Sequence, residues 1–219
     1  MTETSNDLHG MVPDSNDTVL LLIDVINHLD FEGNEELLLV AEEIGKRIAK
    51  LKAAAHKAGI PVVYVNDNFG KWKSDFHNVI EYVINENKPG KPLAQLLQPQ
   101  EDDYFVLKPK HSAFYSTPLD ILLNHLDAEK LILVGFAGNI CVLFTANDAY
   151  MRNFKLIIPR DCIGSNTKEE NEACLDQMEK LLKADTRPST EIIEDMIKKP
   201  KRKKTDAERA QEPKKVVKK

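Results

Sequence analysis

The residue with the clearest chemical potential is Cys141, which lies between an apolar run and a helix-like segment in LILVGFAGNICVLFTANDAYMRN. A thiol at the start of a helix is close to unpaired backbone N–H groups and to the positive end of the helix dipole. Both features favour thiolate over thiol. We therefore expect Cys141 to be an activated nucleophile with a lowered pKa.

Two charged residues also follow apolar runs and could assist this nucleophile. Asp24 lies near the end of TVLLLIDV, and Lys108 lies near the end of DDYFVLKPK. If the three runs are parallel strands of one open sheet, their carboxyl ends meet in a single crevice, where such sheets bind ligands. Asp24 could then take the thiol proton, while Lys108 could stabilise a thiolate and orient the carboxylate.

The segment before the cysteine has the composition of an anion-binding turn. The loop over residues 135–140 is small and includes two glycines, which suits a cradle of backbone amides at a helix start. Taken singly, the strand-end Asp, the Lys-Pro turn and the strand-to-helix Cys each have a structural explanation as good as the functional one. The functional hypothesis depends on all three occurring together.

The elements that must position these residues follow from an alternation of apolar runs and helix-like segments. This order predicts an α/β fold, a three-layer α-β-α sandwich with a doubly wound, mainly parallel sheet of about six strands. Strands are predicted at about 18–25, 61–66, 103–108, 131–136 and 155–160, with a weaker sixth at 190–194. Helices are predicted at 34–59, 74–86, 117–125, 140–152 and 168–183.

Composition limits the class of protein. The chain has 219 residues, 42% of them hydrophobic, which is enough for one core, and no apolar run reaches the roughly 20 residues of a membrane span. The polar N-terminus does not fit a secretory signal, and the three cysteines lack the spacing of a disulfide framework or a zinc site. We expect a cytoplasmic protein with reduced thiols and no membrane contact.

Charge divides the chain into three predicted segments: a polar extension over 1–16, a folded domain over 17–197 and a basic tail over 198–219. The tail has eleven Lys and Arg against three acidic residues, so the net charge of −5 conceals a strongly acidic body. Because the tail lacks aromatic residues, we expect it to be disordered. It is either a solvated appendage or a weak contact for nucleic acid or another polyanion, and KKPKRKK could act as a nuclear signal.

The segments LLLIDVINHLD, VLKPKHSAFYSTPLD and LVGFAGNICVLFTANDAYMRNFKLIIPRDC together resemble the isochorismatase-like cysteine hydrolases, over roughly residues 17–195. This superfamily includes isochorismatase, nicotinamidase and N-carbamoylsarcosine amidase. The resemblance implies a catalytic triad of Asp24, Lys108 and Cys141. It also implies a cis peptide bond at Phe136–Ala137 and an oxyanion hole formed by the backbone N–H groups of Ala137 and Cys141.

One departure from the family pattern bears on cofactors. Nicotinamidases have a metal site after strand 2, with an aspartate, a histidine two residues later and a further histidine. In this chain Asp67 is followed by Asn68 and Phe69, and only His77 is nearby. Since a catalytic zinc usually has three protein ligands, we expect no metal and no other cofactor, and metal-dependent nicotinamide hydrolysis is disfavoured.

The resemblance also indicates where a small-molecule substrate would bind. The pocket walls are expected in the loops around 27–34, 66–76 and 111–117, and the candidate substrate-binding residues are Asn27, Phe69, Trp72 and Phe114. Each aromatic residue could equally be a packing residue, and Trp72 could pack against a neighbouring subunit. Family members commonly form dimers or tetramers, so a homo-oligomer is expected.

The residues and the resemblance predict a cysteine hydrolase that cleaves a small amide, ureido or related C–N bond through a thioester-type intermediate. One alternative is hydrolysis of a vinyl ether, as in isochorismatase. A second is a non-catalytic relative that serves as a binding module. The presence of Cys141 favours the first, because some relatives that cleave vinyl ethers lack the cysteine.

Overall fold

The computed structural model of the protein describes residues 16–69 and 76–198, and its centre is a parallel sheet. The strands are β1 (Thr18–Ile23), β2 (Val62–Asp67), β3 (Tyr104–Lys108), β4 (Lys130–Phe136), β5 (Lys155–Ile157) and β6 (Ile163–Gly164). Their order is β3-β2-β1-β4-β5, with β6 pairing with the end of β4, and every pairing is parallel. The predicted fold class is confirmed.

The sheet reverses its direction of growth between β1 and β4. From β1 the chain adds β2 and β3 on one side, and it then crosses to add β4 and β5 on the other. In open sheets of this kind, the crevice outside the carboxyl ends of the two strands at such a switch point is the usual ligand site. Asp24 and Cys141 follow these two strands.

Helices cover both faces of the sheet. They are α1 (Glu35–Ala58), α2 (Phe76–Asn85), α3 (Lys91–Leu96), α4 (Leu119–His125), α5 (Leu143–Met151), α6 (Lys168–Leu182) and α7 (Ser189–Lys198). A short π-helical turn, Gly138–Val142, precedes α5. Because β1 is buried on both faces, its residues alternate between two apolar clusters, one beneath α1, α2, α3 and α7 and one beneath α4, α5 and α6.

The predicted sixth strand at 190–194 is wrong, because this segment lies in α7. Ile192 and Met196 are buried against the cluster beneath α1, and they are four residues apart, as one face of a helix requires. The small strand β6 and the six-residue helix α3 were not predicted. The predicted strand at 155–160 is shorter, ending at Ile157.

Two of the three predicted segments fall largely outside the described residues. Most of the extension over 1–16 and of the tail over 198–219 belongs to this remainder, so their expected behaviour stays a prediction. Within residues 16–69 and 76–198, none of the helices combines the length and apolar character needed to cross a bilayer. All three cysteines are free thiols.

Candidate active site

Asp24 and Lys108 form a buried ion pair at the carboxyl ends of β1 and β3. Lys108 Nζ lies 2.8 Å from Asp24 Oδ2, and the two residues are 0% and 3% exposed. Asp24 has a left-handed backbone conformation (φ 51°), and its N–H donates to Val65 O at 2.9 Å. Its second carboxylate oxygen, Oδ1, accepts the N–H of Asp67 at 2.7 Å. The carboxylate is therefore fixed on both of its oxygens.

Cys141 joins this pair from the π-helical turn after β4. Lys108 Nζ lies 3.5 Å from Cys141 Sγ, and Asp24 also interacts with the thiol. The approach of β4 to β1 depends on Gly135, which has φ +120° and lies so close to Ile23 that an added Cβ would meet its carbonyl oxygen at 1.9 Å. The structure thus brings Asp24, Lys108 and Cys141 into one contact cluster.

The environment of Cys141 raises the pKa of the thiol, whereas the sequence predicted a lowered pKa. Burial raises the pKa of Cys141, the Asp24 carboxylate raises it further, and Lys108 opposes both only in part, so that the pKa is about 12. The expectation of a lowered pKa is wrong. Since the sulfur is a thiol at neutral pH, it needs a base at the moment of attack, and Asp24 is in place to act as one.

Lys108 keeps its charge despite complete burial. Burial lowers the pKa of the ammonium, but the charges of Asp24 and Asp67, together with the interaction with Cys141, outweigh this effect and leave the pKa above its ordinary value. An ammonium at this position can balance the negative charge that forms on sulfur and on Asp24 in turn. It is therefore suited to be a fixed positive charge rather than a proton donor.

Asp67 is the second acidic residue of the cluster. Its Oδ2 lies 3.6 Å from Lys108 Nζ, and its Oδ1 accepts the N–H of Phe69 at 2.6 Å. These bonds direct the carboxylate toward the ion pair. In the two stretches that the structure covers, no group of three His, Cys, Asp or Glu side chains has the arrangement of a metal site.

The turn before Cys141 has the geometry of a tightly bonded backbone loop. The Phe136–Ala137 peptide bond is cis, at the position that the resemblance implies. The N–H groups of Ile140 and Val142 both donate to Ala137 O at 3.1 Å, and the Asn139 N–H donates to Ser165 Oγ at 3.0 Å. This bonding holds the amides of the turn in place around Cys141.

The candidate substrate-binding residues occupy different environments. Asn27 Oδ1 accepts the N–H of Leu29 at 2.8 Å, so this side chain shapes the loop after β1. Phe69 is half-buried, with its ring centroid 4.9 Å from that of His28. Phe114 is only 4% exposed and packs on Phe154.

Phe114 therefore has the contacts of a core residue rather than those of a pocket wall. The guanidinium of Arg152 lies 4.5 Å from its ring centroid and also pairs with Asp120 at 2.9 Å. Trp72 lies outside the described residues. Cys162 and Cys174 are buried and belong to the two apolar clusters.

His111 is a neighbour of the thiol that the sequence did not single out. Its Nδ1 lies 4.0 Å from Cys141 Sγ, and its ring is exposed. The residue lies three positions after Lys108, in the loop expected to form a pocket wall. The sequence feature that could have identified His111 is its position three residues after the strand-end Lys108.

Comparisons with known proteins give one family. The family model for the isochorismatase domain matches residues 18–187. The uncharacterized isochorismatase family protein YaaI of Bacillus subtilis is 44% identical over 178 residues, which cover 81% of this chain and 97% of that protein. The ureidoacrylate amidohydrolase RutB of Methylorubrum extorquens is 28% identical over 185 residues, covering 68% and 70%.

A solved structure gives the same result at the level of the fold. The crystal structure of an isochorismatase-like hydrolase from Alkaliphilus metalliredigens superimposes with a TM-score of 0.62. The two proteins are 26% identical in sequence, and the match covers 82% of this chain and 99% of the other. The similarity thus extends over nearly all of that hydrolase.

Proposed function

Because the chain belongs to the isochorismatase family of hydrolases, we propose that it cleaves a small amide, ureido or related C–N bond by way of a thioester on Cys141. The observation that supports this most directly is the contact of Lys108 with both other groups, at 2.8 Å from Asp24 Oδ2 and 3.5 Å from Cys141 Sγ. An acid/base, a cation and a nucleophile are the groups that acyl transfer to sulfur requires. The amidohydrolase named among the relatives supports the choice of a C–N bond.

The first half of the reaction forms the thioester. As Sγ attacks the carbonyl carbon, Asp24 takes the thiol proton, and the carbonyl electron pair moves to oxygen. The N–H groups of Ala137 and Cys141 donate to this oxyanion. When the oxyanion collapses, the C–N bond breaks, Asp24 gives its proton to the departing nitrogen, and a neutral amine or ammonia leaves. Lys108 stays charged throughout.

The second half releases the acyl group. Asp24, again a carboxylate, takes a proton from a water molecule whose oxygen attacks the thioester carbon. The same two amides hold the second oxyanion. The C–S bond then breaks, sulfur takes the proton from Asp24, and a carboxylic or carbamic acid is released. The enzyme returns to its starting state, with a neutral thiol and an ionised Asp24.

A substrate panel tests the proposal. Purified protein is incubated with small amides, carbamoyl compounds, ureido compounds and lactams, and released ammonia or amine is measured. We expect turnover of at least one of these classes and a loss of about a thousandfold or more in Cys141→Ala. Cys162→Ala, a buried thiol away from the ion pair, is the matched control and should keep its turnover per folded molecule. Cleavage of a vinyl ether alone would contradict the proposal.

A further inference from the structure

Among the described residues, the groups around the Cys141 sulfur differ in their exposure to solvent. Lys108 and Asp24 lie on the interior side of Cys141, where both are almost completely shielded from solvent. His111 is exposed, and its Nδ1 is 4.0 Å from the same sulfur. A small molecule that reaches Sγ from the side of His111 therefore comes within contact distance of its imidazole.

The position of His111 is fixed relative to Cys141 by the helix that follows the cysteine. The next residue, Ser112, is buried and donates its hydroxyl to Asp148 of α5. Ala113 N–H donates to the hydroxyl of Thr145, also on α5, at 3.0 Å. The loop of His111 is thus bonded to the same continuous helical segment that contains the nucleophile.

The imidazole also has an aromatic neighbour on that helix. The ring of Phe144, three residues after Cys141, has its centroid 5.5 Å from that of His111. Phe144 is 53% exposed, so the two rings form part of the surface around the sulfur. The contact with Phe144 and the hydrogen bonds of Ser112 and Ala113 together restrict the orientation of the imidazole.

The chemistry at sulfur determines which part of a substrate reaches His111. The carbonyl carbon bonded to Sγ has three other substituents. In the proposed reaction the leaving nitrogen faces Asp24, and the oxyanion faces the amides of Ala137 and Cys141. The remaining substituent, which stays with the acyl group, is directed toward solvent and toward the imidazole.

We propose that His111 is a specificity-determining residue that hydrogen-bonds a polar substituent on the acyl side of the substrate; this inference rests on the proposed function. The substituent is the retained nitrogen of a ureido or carbamoyl group, or a carboxylate beside the carbonyl carbon. One ring nitrogen of an imidazole can accept from the N–H of a ureido or carbamoyl group, and the ring N–H can donate to a carboxylate. An unsubstituted aliphatic acyl group makes no such bond and is a poorer substrate.

The kinetic test compares two substrates that release the same amine, one with a ureido or carboxylate substituent on the acyl side and one with an alkyl group of equal size. In His111→Leu we expect kcat/KM to fall tenfold or more for the polar substrate and to change less than threefold for the alkyl one. His111→Gln, which keeps a hydrogen-bonding group, should recover part of the loss. His125→Leu, an exposed histidine in the last turn of α4, is the matched control.

A chemical test locates His111 without any substrate. Iodoacetate and iodoacetamide both alkylate Sγ from solvent, and they differ only in the polar group beside the reacting carbon. Because a hydrogen bond donated to an ionised carboxylate is stronger than one made with a neutral amide, we expect His111→Leu to slow iodoacetate more than iodoacetamide and so to lower the ratio of their rates at Cys141 at least threefold. The His125→Leu control should leave this ratio unchanged.

The two tests separate the inference from the proposed function. An unchanged alkylation ratio in His111→Leu, or an equal loss of kcat/KM for both substrates, overturns the role of His111. A shifted ratio in a protein whose wild type hydrolyses no compound of the panel supports the position of His111 and rejects the proposed C–N hydrolysis. A shifted ratio together with selective loss of the polar substrate supports both.

Discussion

The partly buried Cys141 thiol lies beside one cation and one anion, Lys108 and Asp24, which are both shielded from bulk water. Burial penalises the thiolate, and the nearby carboxylate adds to this effect, so the thiol is stable until a proton acceptor takes its proton. Asp24 therefore has two opposing effects. It disfavours the thiolate at rest and makes the thiol reactive at the moment of attack.

These two effects can be separated by Asp24→Asn. Removing the anion while Lys108 remains charged, with Asp67 still 3.6 Å from its Nζ, should lower the pKa of Cys141 below about 12. The same change removes the base, so turnover should fall by about a hundredfold or more. Thiolate absorbance during a pH titration gives the pKa, and thermal unfolding verifies that the variant is folded. An unchanged thiol pKa would show that Asp24 does not act on the sulfur.

The pH dependence of kcat/KM follows from the raised pKa of Cys141. For a substrate that does not titrate in this range, kcat/KM should be flat between about pH 7 and 10, because the active form has a neutral thiol. A thiolate mechanism with an unperturbed cysteine would instead give a rate that rises up to a pKa of about 8.5. A rising limb in that region, absent in Cys141→Ala, would contradict the neutral-thiol mechanism.

The same shift has a consequence for folding. Since the pKa of Cys141 is higher in the folded chain than its ordinary value of 9.0, the associated stabilisation is complete below pH 9. It is lost progressively as pH rises from 9 toward about 12. This part of the free energy of unfolding should be absent in Cys141→Ala, which unfolding curves at pH 8 and 10.5 can measure.

At the scale of secondary structure, the sequence was most reliable where a strand is buried on both faces. The apolar runs of β1 and β4 and the long amphipathic stripe of α1 leave few alternatives. The segment at 190–194 was misassigned because Ile192 and Ile193 are β-branched and adjacent, a composition typical of strands. The helical contact from Ile192 to Met196 depends on α1, which lies far away in the sequence.

The candidate active site likewise has features that the sequence could predict and features that it could not. Asp24, Lys108 and Cys141 could be identified because each lies at or after the carboxyl end of a strand, and the strand order then brings them together. The direction of the pKa shift at Cys141 could not be identified, because it depends on how deeply the sulfur is buried. The core position of Phe114 likewise depends on contacts with Phe154 that no local pattern shows.

The helical assignment of residues 189–198 predicts which isoleucines matter for stability. Ile192 is 3% exposed and Ile197 is 75% exposed, so truncation of the first leaves a cavity and truncation of the second does not. We expect Ile192→Ala to lower the free energy of unfolding by about 2–5 kcal/mol and Ile197→Ala by about 0.5 kcal/mol or less. Urea denaturation of both variants checks this. Equal losses would contradict the packing of α7 against α1.

At the scale of the whole molecule, charge separates the enzyme body from the C-terminal residues. Residues 199–219 follow α7 and contain ten Lys and Arg, with few apolar side chains. A variant that ends at Lys198 should keep its melting temperature within about 1–2 °C and its turnover within about twofold, because such a sequence buries little apolar surface. A large drop in either quantity would show that these residues belong to the folded enzyme.

A role for these residues should appear in binding to polyanions. The full-length chain should bind duplex DNA more tightly than the shortened one at low salt, and the difference should shrink steeply as salt is added, since counterion release drives such binding. Fluorescence anisotropy of a labelled duplex across a salt series measures the affinity of each form and its dependence on salt. Equal affinity of the two forms at low salt would show that residues 199–219 do not contribute to polyanion binding.

The central claim is that Asp24, Lys108 and Cys141 act together to form an acyl-enzyme on sulfur. Rapid quenching of the enzyme during turnover of a substrate from the panel, followed by intact-mass and peptide analysis, tests it most directly. The account predicts a mass increase equal to the acyl group of the substrate, located on the peptide that contains Cys141 and absent in Cys141→Ala. Turnover that persists in Cys141→Ala, or an adduct found only on another residue, would contradict it.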